Sequence, residues 1–155
     1  MAGRPEDGYC GQVADGKLRI IVERDLEELH KAEMASALKS RLILSGGLIE
    51  GFLLDALLSV EATALAAKKA DIDRTSGKAK PLDEWNLSNL IEVAFELGLV
   101  TKDTHSLSNS IREYRNLVHP GLERRSGRGV RDEIAKIAEQ VLNMVRNDLA
   151  RKPGP

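Results

Sequence analysis

The sequence predicts an all-α protein, built as an up-and-down bundle of four to five helices. The composition is dominated by residues that favour helices, and only 3% of the residues are aromatic. Apolar residues recur three and four positions apart in several segments, which is the helical period. A chain of 155 residues is long enough to bury one core. We therefore expect one bundle domain over residues 18–150, after a flexible leader at 1–17 and before a tail at 151–155.

Charge and cysteine usage narrow the class of protein. A net charge of −1 is not that of a protein that coats nucleic acid, so any contact with phosphate must come from a local patch. The single cysteine, Cys10, cannot form an internal disulfide, which indicates a reducing compartment, and we expect the cytoplasm. Residues 42–60 are very apolar but include Glu50 and Asp55, which favours a buried helix over a membrane span. No secretory-signal pattern is present at the N-terminus, and no membrane partner is expected.

The first half of the chain predicts two helices. Residues 18–38 carry apolar positions at helical spacing with a charged opposite face, as in a helix on a bundle surface. A hairpin turn at Asp15-Gly16 is an alternative for the start of this segment. Residues 40–69 are apolar nearly all round and are expected to form the central helix. Glycines 46, 47 and 51 each cost that helix about 1 kcal/mol against alanine. They predict the close approach of another helix backbone, and a dimer interface is one place where it could occur.

The second half alternates loops and helices. Gly98 is expected to terminate the first of these helices, and Thr104 or Ser106 to cap the next. That next helix should end near His119, since a residue before proline is pushed out of the helical region. The expected segments are a polar loop at 68–82, a helix at 86–97, a helix ending near 119, a loop at 121–131 and a last helix at 130–149.

A cationic stripe near the end of the helix that finishes near residue 119 is the candidate site. Arg112, Arg115 and His119 fall within roughly 60° of one another on a helix. An apolar stripe lies beside them, so the cationic groups are expected at the edge of the core, and its members are Leu107, Ile111, Tyr114 and Val118. Tyr114 should support the site from the core, with its hydroxyl at the edge. Glu50 and Asp55 should each pair with a cation, and Arg112 and Arg115 are the candidates.

These residue types suit phosphodiester chemistry. Guanidinium groups bind phosphate oxygens bidentately, and histidine can move a proton near neutral pH. Cleavage of RNA through its own 2′-hydroxyl needs a base, an acid and a phosphate clamp, and requires no metal. One histidine cannot easily make both proton transfers, so a dimer that pairs two such helices is chemically sensible. Residues 112–131 carry six arginines and two glutamates. Arg115 and three arginines of the following loop are candidates for binding substrate, and the loop residues are Arg124, Arg125 and Arg128.

Two purely structural interpretations of the same residues stay open. The arginines could simply pair with Glu50 or Asp55 while His119 caps the end of its own helix. The arginine-rich loop could be an ordinary solvated loop. A metal site has little support, because His30, His105 and His119 are isolated in the sequence.

The run from Arg112 to Gly121 resembles the motif of the HEPN superfamily, in which four to six residues separate an arginine from a histidine. Six residues lie between Arg112 and His119, and Asn116 takes the place of a polar residue that often follows an arginine in that motif. The likeness extends as a pattern over residues 38–149, through the glycine-broken helix that bears Glu50. Its specific part is 112–121.

The resemblance implies a helical homodimer whose motif helices face each other. It also implies a metal-independent endoribonuclease of phage defence, toxin–antitoxin or RNA-processing systems, with no cofactor and with an antitoxin or defence protein as a partner. Arg112, Asn116 and His119 would then be catalytic. Toxins controlled by adenylylation carry a tyrosine two residues after the histidine. This chain has Gly121 there and so departs from that subgroup. Because the family has non-catalytic members, the alternative is a helical dimer that binds RNA, a nucleotide or a protein through the same surface.

Overall fold

The computed structural model describes residues 13–151, and within them it contains seven α-helices and two 3-10 turns. The helices are α1 (Gly16–Met34), α2 (Leu38–Leu58), α3 (Glu61–Leu65), α4 (Leu87–Glu96), α5 (Lys102–Arg115), α6 (Pro120–Ser126) and α7 (Asp132–Ala150). The 3-10 turns are Leu82–Glu84 and Asn116–Val118. The all-α class is confirmed. The helix number exceeds the expected four to five because the short α3 and α6 are separate elements.

Helix α2 is the centre of the fold, as predicted. It packs against α1, α4, α5 and α7. Its apolar surface is therefore covered on nearly all sides, and its most deeply buried side chains are Leu42, Leu48, Ile49, Leu53 and Leu57. The helix ends at Leu58 instead of near residue 69, because Val60 leaves helical geometry with φ −129° and ψ 39°. No helix within residues 13–151 combines the length and apolarity that a membrane crossing requires.

The start of α1 corrects two expectations. Asp15 is the N-cap of α1 and accepts the Leu18 N–H at 2.9 Å, so the hairpin alternative is wrong. The Asp55 carboxylate accepts the backbone N–H groups of Ala14 and Asp15 at 3.2 and 2.9 Å. Asp55 therefore holds the entry to α1 and does not pair with Arg112 or Arg115.

The folded part of the chain begins before residue 18. Val13 is 1% exposed and belongs to the core, although the sequence places it in the leader. The remaining part of the predicted leader, including Cys10, lies outside the described residues, as does the tail from residue 152.

Helices α4 and α5 form a consecutive pair that packs together. Gly98 follows α4 at φ +73°, where glycine carries no Cβ penalty, so its predicted role as terminator is confirmed. The cap of α5 is Thr101, which accepts the Thr104 N–H at 3.3 Å, and the expected cap at Thr104 or Ser106 is wrong. Thr104 is buried one turn inside the helix.

The end of α5 differs most from the prediction. Regular helix stops at Arg115, a 3-10 turn follows, and His119 is extended with φ −82° and ψ 119°. Pro120 forces that extended geometry on His119 and then serves as the first residue of α6. The predicted loop at 121–131 thus contains most of a helix, which ends at Ser126 and has Gly127 as its C-cap with φ +67°. Leu107 is 39% exposed, so the predicted apolar stripe fails at that position.

Three ion pairs connect α6 and α7 to the start of α2. The Arg41 guanidinium is buried and contacts Glu139 at 2.6 Å and Asp132 at 3.1 Å, which raises the pKa of Arg41. Lys39 contacts Glu123 of α6 at 3.0 Å. The two Arg41 pairs therefore hold α7, and the more exposed Lys39–Glu123 pair links α6 to α2.

Candidate functional site

An open pocket of about 520 Å³ lies beside the start of α4 and the end of α5. Its lining residues are Ile43, Asn86, Leu87, Ser88, Arg112, Arg115, Asn116, Val118 and His119. We call it the Arg112 pocket. Four of the residues that the sequence selects as a site lie in this one lining, and none of the lining residues is acidic.

His119 lines the pocket, but it does not belong to the helical stripe that the sequence predicts. Arg112 and Arg115 belong to regular helix, whereas Asn116 opens the 3-10 turn and His119 is extended. The tighter turn and the proline restraint together keep His119 on the lining. The predicted proximity is therefore found, although the predicted geometry is wrong.

Arg112 carries a cationic group without an acidic partner. Its Nη1 donates to the Ser88 Oγ at 2.8 Å, and Arg112 is exposed. The guanidinium makes no ion pair among residues 13–151, so the neutral Ser88 contact leaves its charge uncompensated. Ser88 lies in the first turn of α4, whose positive dipole end therefore adds to the same potential. Both features favour an anion in the Arg112 pocket.

Arg115 differs from Arg112 because it contacts an acidic side chain, Glu50 of α2. Its Nη1 lies 3.4 Å from the Glu50 Oε2, and both side chains are about one-third exposed, at 35% and 38%. A pair with that separation and exposure contributes little to stability. The Glu50–Arg115 contact therefore serves mainly to orient Arg115. It is the pairing of Glu50 with a cation that the sequence predicts.

Gly46 explains why the Arg115 side chain can cross α2. A Cβ placed on Gly46 would lie 2.7 Å from the Arg115 Cδ, closer than real contacts allow. A Cβ on Gly47 would meet nothing within 4 Å, and one on Gly51 would meet the Val22 Cγ2 at 3.3 Å. At Gly46 and Gly51 the nearest atoms are thus side-chain atoms, so no helix backbone makes the closest approach to these glycines within the described part of one chain. An approach across a dimer interface stays a prediction.

His119 and Asn116 are exposed in the lining. Within the described part of the chain, the His119 imidazole makes no hydrogen bond, so it does not cap a helix carbonyl there. Its orientation is left to whatever enters the pocket. The purely structural interpretation, in which the arginines pair with acids and His119 caps its helix, therefore holds in part for Arg115. It fails for Arg112 and His119.

The remaining predicted residues lie outside the pocket lining. Tyr114 is half-buried and packs against the core, as the sequence indicates. Three exposed arginines lie on α6 or just after it and make no ion pair among residues 13–151: Arg124, Arg125 and Arg128. Within the same residues, histidine, cysteine and acidic side chains form no group of three or more that could hold a metal ion.

Sequence reasoning missed the α4 side of the pocket. Asn86 was recognisable as a helix start, and its side chain accepts the Asn89 N–H at 3.0 Å. Consecutive helices with a short connection pack antiparallel, which brings the start of α4 to the end of α5. That rule, applied to residues 86–119, would have placed Ser88 beside Arg112.

Comparison of the chain with protein-family models, curated proteins and solved structures gave no match. A functional hypothesis therefore depends on the residues of the Arg112 pocket and on the motif that they form.

Proposed function

We propose that this protein is a HEPN-like, metal-independent endoribonuclease that acts as a homodimer through the Arg112 pocket. The single observation that carries the proposal is the joint presence of Arg112, Asn116 and His119 in one open pocket with no acidic lining residue. A phosphodiester is the anion whose cleavage needs this set of groups.

Arg112 is the phosphate clamp of the proposed site. Its bond to the Ser88 hydroxyl at 2.8 Å positions the guanidinium without neutralising it. Charge that develops on the non-bridging oxygens in the transition state is stabilised by Arg112 and by the positive end of α4. The Asn116 amide can donate to the same phosphate, and Arg115 supplies a second cation from its position beside Glu50.

His119 is the proton-transfer group. The imidazole takes the proton of the 2′-hydroxyl while that oxygen bonds to phosphorus and the bond from phosphorus to the 5′-oxygen breaks. A second imidazole returns a proton to the departing 5′-oxygen, which leaves a 2′,3′-cyclic phosphate and a 5′-hydroxyl. His119 from the second copy is the proposed donor of that proton.

The exposed arginines outside the pocket serve RNA backbone binding in this scheme. Arg124, Arg125 and Arg128 follow the pocket directly in the chain and lack ion-pair partners among residues 13–151. They would hold phosphates further along the strand. The resemblance places such an enzyme in phage defence, toxin–antitoxin control or RNA processing in the cytoplasm, with an antitoxin or defence protein as the regulating partner.

Cleavage of single-stranded RNA by the purified protein in EDTA tests the proposal. We expect cleavage by the wild type and a loss of about 100-fold or more in His119→Ala and in Arg112→Ala. His30→Ala and Arg74→Ala are matched controls, since both residues are exposed and lie outside the pocket lining. Absence of cleavage of every RNA tried, or equal cleavage by His119→Ala, contradicts the proposal.

The dimer has its own test. Light scattering at micromolar concentration should give twice the chain mass of 17.0 kDa. A monomeric mass would leave His119 without the proposed second imidazole. The non-catalytic alternative is favoured by the lack of a hydrogen bond that orients His119 within residues 13–151, and RNA binding without cleavage would identify it.

A further inference from the structure

A line of polar and aromatic side chains continues from the Arg112 pocket between α4 and α5. On α4 it consists of Ser88, Glu92 and Phe95, and on α5 of His105, Asn109 and Arg112, with Asn116 following in the 3-10 turn. Each set is spaced by three and four residues, so each lies within roughly 60° on its helix. The two sets meet in antiparallel order, because Ser88 contacts Arg112 and Glu92 contacts His105. We call this line the α4–α5 seam.

The end of the seam remote from the pocket carries a fixed pair of rings. Phe95 and His105 stack with centroids 4.3 Å apart and planes 18° from parallel. The His105 Nε2 donates to the Glu92 Oε1 at 2.9 Å, and this bond orients the imidazole. The Asn109 Nδ2 lies 3.4 Å from the same nitrogen. Although the rings are stacked, Phe95 remains 39% exposed. The exposed part of the pair is thus mainly the Phe95 ring, since the His105 side chain is 19% exposed.

The ring pair has acidic as well as basic neighbours. Glu92 contacts His105, and the Glu96 carboxylate accepts the backbone N–H groups of Lys68 and Lys69 at 2.9 and 3.1 Å. Burial opposes the charged form of Glu92, yet the hydrogen bond and charge of His105, with Asn109 and Lys69, leave the pKa of Glu92 below its usual value. Lys69 is therefore close enough to act on this carboxylate, and its backbone carbonyl accepts the Asn89 Nδ2 at 3.3 Å. The Lys69 ammonium makes no ion pair among residues 13–151. Available cations consequently lie near both ends of the seam, Lys69 at one and Arg112 at the other.

We propose that the α4–α5 seam binds the nucleotides next to the phosphate held at Arg112, with the Phe95–His105 pair stacking a base of single-stranded RNA. This inference rests on the proposed function of the Arg112 pocket. His105 and Arg112 are seven residues apart on α5, or about 10 Å along the helix axis, so the stacked base belongs to a neighbouring nucleotide. Aromatic stacking accepts any base. The Glu92 carboxylate can accept a hydrogen bond from the edge of the stacked base, and the Asn109 amide can donate or accept one there.

A purely structural role does not account for all of the seam. The Glu92–His105 contact at 2.9 Å already ties α4 to α5. Tying the helices does not require an aromatic ring at residue 95 with 39% of its surface exposed. Replacing the ring while keeping an apolar side chain therefore separates the two roles.

Binding without cleavage tests the seam directly. The parent is the full chain with His119→Ala, and the probe is a fluorescein-labelled single-stranded RNA of about 12 nucleotides, followed by fluorescence anisotropy. We expect Phe95→Leu to weaken binding about tenfold or more, and Phe95→Tyr to bind within about twofold of the parent. Ile20→Ala is the matched control, an exposed apolar residue on α1, and should bind like the parent. Parent-like binding by Phe95→Leu overturns the inference.

A fluorescent base distinguishes stacking from a general loss of fold. The probe carries 2-aminopurine at each position in turn, and its emission should fall on binding at one or two positions, because stacking quenches it. Phe95→Leu should restore that emission at saturating protein concentration, whereas Phe95→Tyr should not. Quenching that is the same in Phe95→Leu contradicts the inference, as does a parent that binds no RNA. If the His119→Ala parent quenches the probe but the wild type cuts no RNA, RNA binding by the seam is supported and the proposed endoribonuclease activity is refuted.

Discussion

Replacing Gly46 and Gly47 separately by alanine tests how the Arg112 pocket is built. The two glycines are neighbours inside α2, so each substitution gains about the same helix propensity, roughly 1 kcal/mol. A Cβ at Gly47 meets nothing within 4 Å, whereas one at Gly46 meets the Arg115 Cδ at 2.7 Å. The Arg115 Cδ lies in the middle of the side chain, so it cannot move aside without displacing the guanidinium from Glu50.

The magnitudes follow from those contacts. Gly47→Ala should stabilise the protein by about 0.5–1 kcal/mol. Gly46→Ala adds an overpacking cost of about 1–3 kcal/mol, which cancels or exceeds the propensity gain. The free energies of unfolding of the two variants should therefore differ by about 1–3 kcal/mol, or several degrees in Tm for a chain of this size.

Urea unfolding followed by circular dichroism measures the difference, and an Arg115→Ala background identifies its cause. Without the Arg115 side chain beyond Cβ, Gly46→Ala should become stabilising by about 1 kcal/mol, like its neighbour. If Gly46→Ala stabilises the wild type as much as Gly47→Ala does, the side-chain crossing at Gly46 is refuted. A destabilisation that persists in the Arg115→Ala background would place its cause elsewhere.

Three further predictions concern the entry to α1, acid stability and salt dependence. Asp55→Ala should lower the free energy of unfolding by about 1–3 kcal/mol, because two backbone N–H groups lose their acceptor, and urea unfolding measures it. The folded-state pKa of Glu92 is lowered from 4.5, so its contribution to stability is present above that pH and is lost as the pH falls. The wild type should therefore lose stability relative to Glu92→Gln in urea titrations between about pH 5 and 3, and a constant difference contradicts this. RNA binding by the His119→Ala chain should also depend on salt through the arginines on and just after α6. The slope of log affinity against log salt should fall by about 0.7 in each of Arg124→Ala, Arg125→Ala and Arg128→Ala, and unchanged slopes would exclude phosphate contacts.

Long periodic segments explain how much of the fold the sequence could predict. Helices α1, α2, α4 and α7 bury apolar stripes at helical spacing, and that pattern is visible without tertiary information. Helix α6 was missed because it has seven residues and none of them is buried. Its ends are set by Pro120 and Gly127, which also occur together in ordinary loops.

The site was predictable where its residues are close in the chain. Arg112, Arg115, Asn116 and His119 span eight positions, so almost any compact local structure brings them together. Ser88 comes from a separate helix, and its place beside Arg112 depends on how α4 packs against α5. The Asp55 contacts were mispredicted for a similar reason, since backbone amides leave no signature in the sequence.

The chemistry of the cleaved ends tests the proposed endoribonuclease most directly. Wild-type protein in EDTA is given an RNA oligonucleotide, and the products are analysed by mass spectrometry beside the same oligonucleotide with a 2′-deoxy sugar at the cleaved position. Catalysis by the Arg112 pocket predicts a 2′,3′-cyclic phosphate and a 5′-hydroxyl from the all-ribose strand, and no product from the deoxy strand or from His119→Ala. Cleavage of the deoxy strand, or the same products from His119→Ala, would contradict it.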